Sequence, residues 1–278
     1  MYKLLDSGDK FKLEAFGRYK IIRPCGMALW PRRDEKMWDE KNVDAIFTRE
    51  QDEGWIKNKL PRSWDIEIKG IKARVKPTEF GHLGLFPEHL EHFDFFEKAL
   101  GGEKEIRVLN LFAYSGATSA FLAKKGCHVT HVDASKPMIL WAKENTEING
   151  LEDDAVRWIT DDAIKFVERE GRRGNVYDAI LLDPPTFGRG DKGQVFKIEE
   201  SLDRLVSGCL ELLSDRPCFF LFTNHTPGFT PLFLNRYFSS FQGRHLKAGF
   251  KQSGEMLLGS KEEGFPMGAY YRWSATGE

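Results

Sequence analysis

Residues 177–190 read YDAILLDPPTFGRG. An apolar run, residues 179–182, stops at a carboxylate, followed by two prolines and, after Thr186, an aromatic ring. Each proline removes a backbone donor and fixes the chain direction. Asp183 and the Pro184 carbonyl are thereby held as rigid, outward-facing acceptors. Two such acceptors can take the N–H groups of an amine and free its lone pair. Phe187 offers a face on which a planar base can stack. Asp183, Pro184 and Phe187 are candidate catalytic residues.

Other polar residues also stand where apolar runs end. The turn Ala113-Tyr114-Ser115-Gly116-Ala117-Thr118 follows one run. It has a single glycine, so it is neither a dinucleotide fingerprint nor a phosphate loop. Gly116 lets the backbone turn tightly and approach a ligand. Asp133 closes HVTHVD, one strand further on, where a carboxylate can accept both hydroxyls of a ribose. Asp162 follows AVRWIT and could meet an adenine amino group. The plainer alternatives are an N-cap for Asp133 and a first-turn acid for Asp162. In FTNHTPGF, residues 222–229, Asn224 is the fourth candidate catalytic residue, since it could read a base edge as donor and acceptor together. His225 could hydrogen-bond a flipped base, although a loop histidine more often has no such role.

Strands alternating with helices must position these residues. Residues 107–114, 128–133, 155–160, 177–183 and 218–222 read as buried strands. Helices are expected over 119–125, 135–149, from 161 to the GRRG segment, and over 198–213. LKAGFKQSGEMLL and AYYRW, with no helix between them, predict an antiparallel pair at one edge. Alternation of this kind gives a parallel sheet covered on both faces, with ligands outside the strands' carboxyl ends. The first 78 residues alternate like half-buried strands, with a hairpin turn at Gly70. They are expected to form a β-rich appendage with a possible RNA or substrate contact, and residues 79–278 the α/β domain. The charged stretch 49–62 reads as an exposed loop or short helix.

NLFAYSGATSAFLAKKG, HVDASKPMILWAKENTEING, DDAIKFV and YDAILLDPPTFGRG, in this order, resemble class I S-adenosylmethionine-dependent methyltransferases. Within that class the chain is similar to the bacterial large-subunit ribosomal RNA methyltransferases that make 5-methylcytosine or 7-methylguanine. The resemblance covers roughly residues 80–273. It implies a Rossmann-like fold with a mostly parallel seven-stranded sheet and antiparallel last strands. It implies S-adenosyl-L-methionine as cofactor, with Ala113, Tyr114 and Gly116 lining its methionine part. Asp133 would hold the ribose and Asp162 the adenine, with Asp183 closing the cofactor set as well as facing the acceptor. GLFPEHLEHF, with Glu88 and His89, stands in place of a preceding helix that reaches the same cofactor. Residues 1–78 do not read as the PUA module that some members carry.

Carbon 5 of cytosine is not nucleophilic and needs a cysteine adduct first. In the cytosine branch that cysteine lies just after the fifth strand, where this chain has FTNHTPGF and no Cys. The turn resembles that of the 7-methylguanine branch. A ring nitrogen and an exocyclic amine both remain open as acceptors, so methylation of an RNA base nitrogen is expected. The alternatives are a small metabolite or protein side chain as substrate, and a non-catalytic nucleotide- or RNA-binding module.

The 278 residues carry a formal net charge of −1, which argues against sequence-blind nucleic-acid coating. A local basic patch remains open, from Arg18-Tyr19-Lys20, Arg32-Arg33, or Arg189 with Lys192 and Lys197. The 4 cysteines have no CxxC spacing, so neither zinc nor any other metal is expected. The absence of a disulfide framework, a signal-like segment or a membrane-spanning run points to a cytoplasmic protein.

Overall fold

The computed structural model describes residues 1–49, 54–102, 105–189, 195–241, 246, 248–259 and 264–276. The chain divides into two compact units, Met1–Leu90 with Leu258–Phe265, and Glu91–Leu257 with Pro266–Glu278.

The first unit holds a five-stranded sheet in chain order: β1 (Tyr2–Gly8), β2 (Phe11–Phe16), β3 (Tyr19–Pro24), β4 (Ala45–Thr48) and β5 (Gly54–Asn58). Only the β3–β4 pairing is parallel. A separate hairpin joins β6 (Trp64–Ile68) to β7 (Ile71–Val75). It turns at Lys69 and Gly70, whose φ values of 44° and 82° fit the twist of a two-residue hairpin loop. The stretch expected to be a loop or short helix contains β5. Trp55 drives this pairing by packing on Phe47 of β4, ring centroids 5.2 Å apart. Glu14 is fully buried in this unit, and Arg23 and Lys12 neutralise it.

The second unit alternates as the sequence suggests: α1 (His92–Leu100), β8 (Arg107–Leu111), α2 (Ala117–Lys124), β9 (His128–Asp133), α3 (Lys136–Glu147), β10 (Val156–Thr160), α4 (Ala163–Arg172) and β11 (Ala179–Leu182). There follow a ribbon of β12 (Phe187–Arg189) and β13 (Val195–Lys197), then α5 (Ile198–Glu211), β14 (Phe219–Asn224), α6 (Pro231–Ser239), β15 (Phe250–Leu258) and β16 (Phe265–Ser274). The seven-stranded sheet runs β10-β9-β8-β11-β14-β16-β15. The first five strands of that order are parallel, and β16 is antiparallel to β14. The fold is Rossmann-like, with the antiparallel edge anticipated from sequence. Strands β8, β11 and β14 read as near-continuous apolar runs because helices cover both faces.

Three local features differ from the sequence reading. β8 ends at Leu111 instead of Tyr114, because Phe112 and Tyr114 adopt left-handed backbone with φ of 56° and 52°. The loop after Asp183 is a β-ribbon, anchored by buried Phe196 against Phe112 at 5.3 Å. Helix α6 was not anticipated. Thr230 caps it by accepting from Phe233 N, Pro231 opens it, and Leu234 and Phe238 bury its inner face.

Glu170 of α4 is buried at the opposite end of the sheet from the strands' carboxyl termini. It accepts hydrogen bonds from Tyr177 Oη (2.7 Å), Asn175 Nδ2 (2.9 Å) and Arg157 Nη1 (3.2 Å). Burial alone would raise its pKa, but the bonds from Tyr177, Arg157 and Asn175 outweigh burial and lower it. A carboxylate with a lowered folded-state pKa stabilises above its unfolded pKa and loses that contribution as pH falls through the folded value. Glu170→Gln is expected to cost about 2 kcal/mol at neutral pH. Urea denaturation across an acid series checks this, since the variant's stability falls less steeply than wild type through the carboxylate range.

Candidate active site at the carboxyl ends of the parallel strands

The order of strands leaves β8 toward β9 and β10, then returns to β11 on the other side of β8. This reversal is the switch point where open α/β sheets bind ligands. The candidate residues of the second unit fall at that edge. Leu111 of β8 pairs with Val132 on one side and Leu182 on the other, so the turn after β8 lies between Asp133 and Asp183 in strand order.

Asp133 ties two elements together. Its Oδ2 accepts from Tyr114 N and its Oδ1 from Ser135 N, both at 2.9 Å. Asp133 is not itself the N-cap of α3; Ser135 holds that position. Ala113 N donates to the Val132 carbonyl at 3.1 Å, and buried Asn145 donates to the Ser115 carbonyl at 2.7 Å. These bonds hold the left-handed turn. Gly116 has φ 78°, and a Cβ there would lie 2.6 Å from Ala142 Cβ. The space that only glycine leaves is filled by α3, so the missing side chain serves tight turning and helix packing. Asp162 is the N-cap of α4, with Oδ1 accepting from Lys165 N at 3.0 Å.

On the other side of the switch point, Asp183 Oδ1 accepts from Thr223 Oγ1 at 2.8 Å and lies 4.0 Å from His225 Nε2. Pro184 is buried, whereas the Phe187 ring is 51% exposed, far more than a core phenylalanine. Thr186 and Thr226 join the two loops through a hydroxyl pair at 2.9 Å. Asn224 is buried: its Oδ1 accepts from Thr226 N at 3.0 Å and its Nδ2 donates to the Ala269 carbonyl at 3.3 Å. Its amide shapes the turn.

Sequence reasoning missed Thr223, Thr226 and a polar chain beneath the β8 turn. Asn110 Nδ2 donates to Ser119 Oγ at 2.9 Å, and Ser119 Oγ meets His131 Nδ1 at 2.9 Å. All three are buried, and Asn110 and His131 are paired across β8 and β9. Burial pulls the His131 pKa down to about 3, so the ring is neutral. The available signal was Asn110 inside the apolar run of β8, beside the buried polar positions of β9.

Of the basic residues singled out, Lys197 pairs with Glu200, and Arg32 and Arg33 pair with acids of their own unit. Arg18 donates to the Tyr19 hydroxyl. Lys192 lies outside the described residues. Cys127 and Cys209 are buried, and burial pushes the Cys127 thiol up to about 12 and raises that of Cys209. Cys218 lies just before β14, at the end of that strand away from Asp183, and Cys25 is in the first unit. No described helix is long and apolar enough to cross a membrane.

A Rossmann-like sheet of this order, with an acidic residue at the end of β9 and others just past β10 and β11, defines a nucleotide-cofactor fold. Residues 45–237 match the family described as S-adenosylmethionine-dependent methyltransferase, and the chain belongs to that family. It is 29% identical over 188 residues to ribosomal RNA large subunit methyltransferase I of Pseudoalteromonas translucida (strain TAC 125), covering 66% of this chain and 45% of that relative. It is 33% identical over 149 residues to ribosomal RNA large subunit methyltransferase K/L of Shewanella baltica (strain OS155 / ATCC BAA-1091), covering 52% of this chain and 20% of that one. The chain spans less than half the length of these curated relatives. A solved S-adenosylmethionine-dependent methyltransferase from Agrobacterium tumefaciens is 36% identical with a TM-score of 0.90, covering 99% of this chain and 90% of that one. A methyltransferase-fold structure from Streptococcus mutans has a TM-score of 0.76 at 17% identity, covering 98% and 74%, and carries the fold alone.

Ser119→Ala breaks the Asn110–Ser119–His131 chain and leaves two buried polar side chains short of a partner. The expected cost is about 1–3 kcal/mol. Thermal denaturation measures it, and Ala123→Ser on the same helix, which adds a hydroxyl outside the chain, is the comparison.

Proposed function

We propose that the chain methylates a base nitrogen of RNA, with ribosomal RNA the first substrate to test. The observation that carries this reading is the array at the switch point. Asp183 is oriented by the Thr223 hydroxyl, a half-exposed Phe187 lies four residues on, and the cysteines of this unit, Cys127, Cys209 and Cys218, stand on other segments. The names of the relatives, ribosomal RNA methyltransferases, support the substrate class.

S-adenosylmethionine, when bound, supplies a methyl group on a positively charged sulfur. The residues present fit it. Asp133 accepts backbone N–H groups from Tyr114 and Ser135, which aim its carboxylate, the group type that takes ribose hydroxyls, at the switch point. Ala113, Tyr114 and Gly116 line the methionine part, their turn fixed by Ala113 N on the Val132 carbonyl, Tyr114 N on Asp133 and Asn145 on the Ser115 carbonyl. Asp162 serves the adenine with the oxygen its cap bond does not use. Asp183 stands where cofactor and acceptor sites meet. Asp183 and the Pro184 carbonyl orient the acceptor, and Phe187 stacks on the base. Asn224 acts as a positioning residue, because its amide already holds the His225–Thr226 turn. No cysteine adduct takes part. The cysteines are buried or on other elements, and burial keeps the Cys127 and Cys209 thiols protonated.

The pairing of Arg32, Arg33 and Lys197 with nearby acids favours a second reading, a small metabolite or protein side chain as acceptor. Transfer of labelled methyl to deproteinised ribosomal RNA, a metabolite pool and a protein extract decides between them. The account expects label in the RNA, reduced at least about 100-fold in Asp183→Ala. Label confined to the other pools would sink the RNA assignment.

A further inference from the structure

We propose that His225 is the proton acceptor of the reaction, and that the methylated atom is therefore an exocyclic amine, which carries hydrogen, and not a ring nitrogen. This rests on the methyl-transfer reading of the site. His225 directly follows β14, beside Asp183, with 31% of its side chain exposed. Its Nδ1 lies 2.8 Å from the Met267 carbonyl. A carbonyl can only accept, so Nδ1 holds the hydrogen, and in the neutral ring Nε2 carries a lone pair. That nitrogen is on the Asp183 side, 4.0 Å from Oδ1. Gly268 makes the arrangement possible: a Cβ there would come within 3.2 Å of His225 Nδ1 and 2.4 Å of the Asn224 carbonyl oxygen. Bare β16 backbone thus supports the imidazole and fixes its tautomer.

Asp183 and Nε2 are both acceptors, and together they suit a group that brings N–H donors. A ring nitrogen presenting only a lone pair has no hydrogen to give them. The step balances as follows. The amine lone pair forms the new bond to the methyl carbon, and the carbon–sulfur pair stays on sulfur, which becomes a neutral thioether. As positive charge grows on the nitrogen in that same step, one of its protons passes to Nε2. The imidazolium formed, 4.0 Å from the Asp183 carboxylate, passes the proton to solvent. The arrangement follows the logic of a base oriented by a second group.

Two measurements test this. Nitrogen-15 NMR of histidine-labelled protein, with the His225 signals assigned by their loss in His225→Gln, reads the tautomer without any substrate. Hydrogen on Nδ1 is expected; hydrogen on Nε2 in the neutral ring overturns the inference. Methyl transfer to deproteinised ribosomal RNA and to a metabolite pool is then followed by product analysis. The expected product is methylated on an exocyclic amine. His225→Gln lowers the single-turnover rate about 100-fold, with KM little changed, and free imidazole partly restores His225→Gly. A ring-nitrogen product, or an unimpaired His225→Gln, overturns the inference while leaving the methyltransferase reading intact. Label in a metabolite and none in RNA sinks the RNA reading, and the position of that label still judges His225.

Discussion

In a parallel sheet every strand ends on the same side, and β8 pairs in register with β9 on one edge and β11 on the other. Everything the site contains follows from that alignment. The left-handed turn after Leu111, the carboxylate of Asp133 and the carboxylate of Asp183 come from segments far apart in sequence, yet they share one edge. The switch in strand order at β8 opens that edge, because the helices following β8 and β11 cover opposite faces. A slip of register would separate Asp133 from Tyr114 N and the Thr223 hydroxyl from Asp183.

The alignment is kept at the expense of local preference. Phe112 and Tyr114 are aromatic and left-handed, a conformation that costs about 1–3 kcal/mol for a residue with a side chain. The bond from Tyr114 N to Asp133 and the bond from Asn145 to the Ser115 carbonyl hold the turn against that strain. Asn110, Ser119 and His131 place buried polar groups beneath it, where aliphatic residues would pack without such demands. Their chain links β8, α2 and β9 at the point where the turn must not move.

Much of this was legible in the sequence, for reasons that can be located. The run Ala179–Leu182 is apolar because β11 is covered on both faces, and Asp183 is conspicuous because it ends that run. The alternation of strands with helices gave the parallel order, and the lack of a helix between the last two strands gave the antiparallel edge. Other features depend on contacts that local sequence does not encode. Phe112 and Tyr114 favour strands by type, so the end of β8 at Leu111 appears only once Asp133 is beside them. Asn224 looks like a base reader in isolation; the neighbouring Thr226 amide and Ala269 carbonyl occupy its amide. Thr223 stands just past the apolar run 218–222, and only the pairing of β14 with β11 sets its hydroxyl against Asp183. The polar ribbon β12–β13 depends on Phe196 finding Phe112, a pairing 84 residues apart.

The central claim is that the methyl donor binds beyond β8 and β9, with Asp133 as the anion that receives its ribose hydroxyls. Calorimetric titration of S-adenosylhomocysteine into wild type and Asp133→Asn tests it most directly, since asparagine keeps the shape of the side chain but loses its charge and one acceptor. The account predicts binding by wild type and a loss of about tenfold or more in the variant, which is about 1.4 kcal/mol. Equal affinity in the two proteins, with the fold intact by circular dichroism, would contradict it.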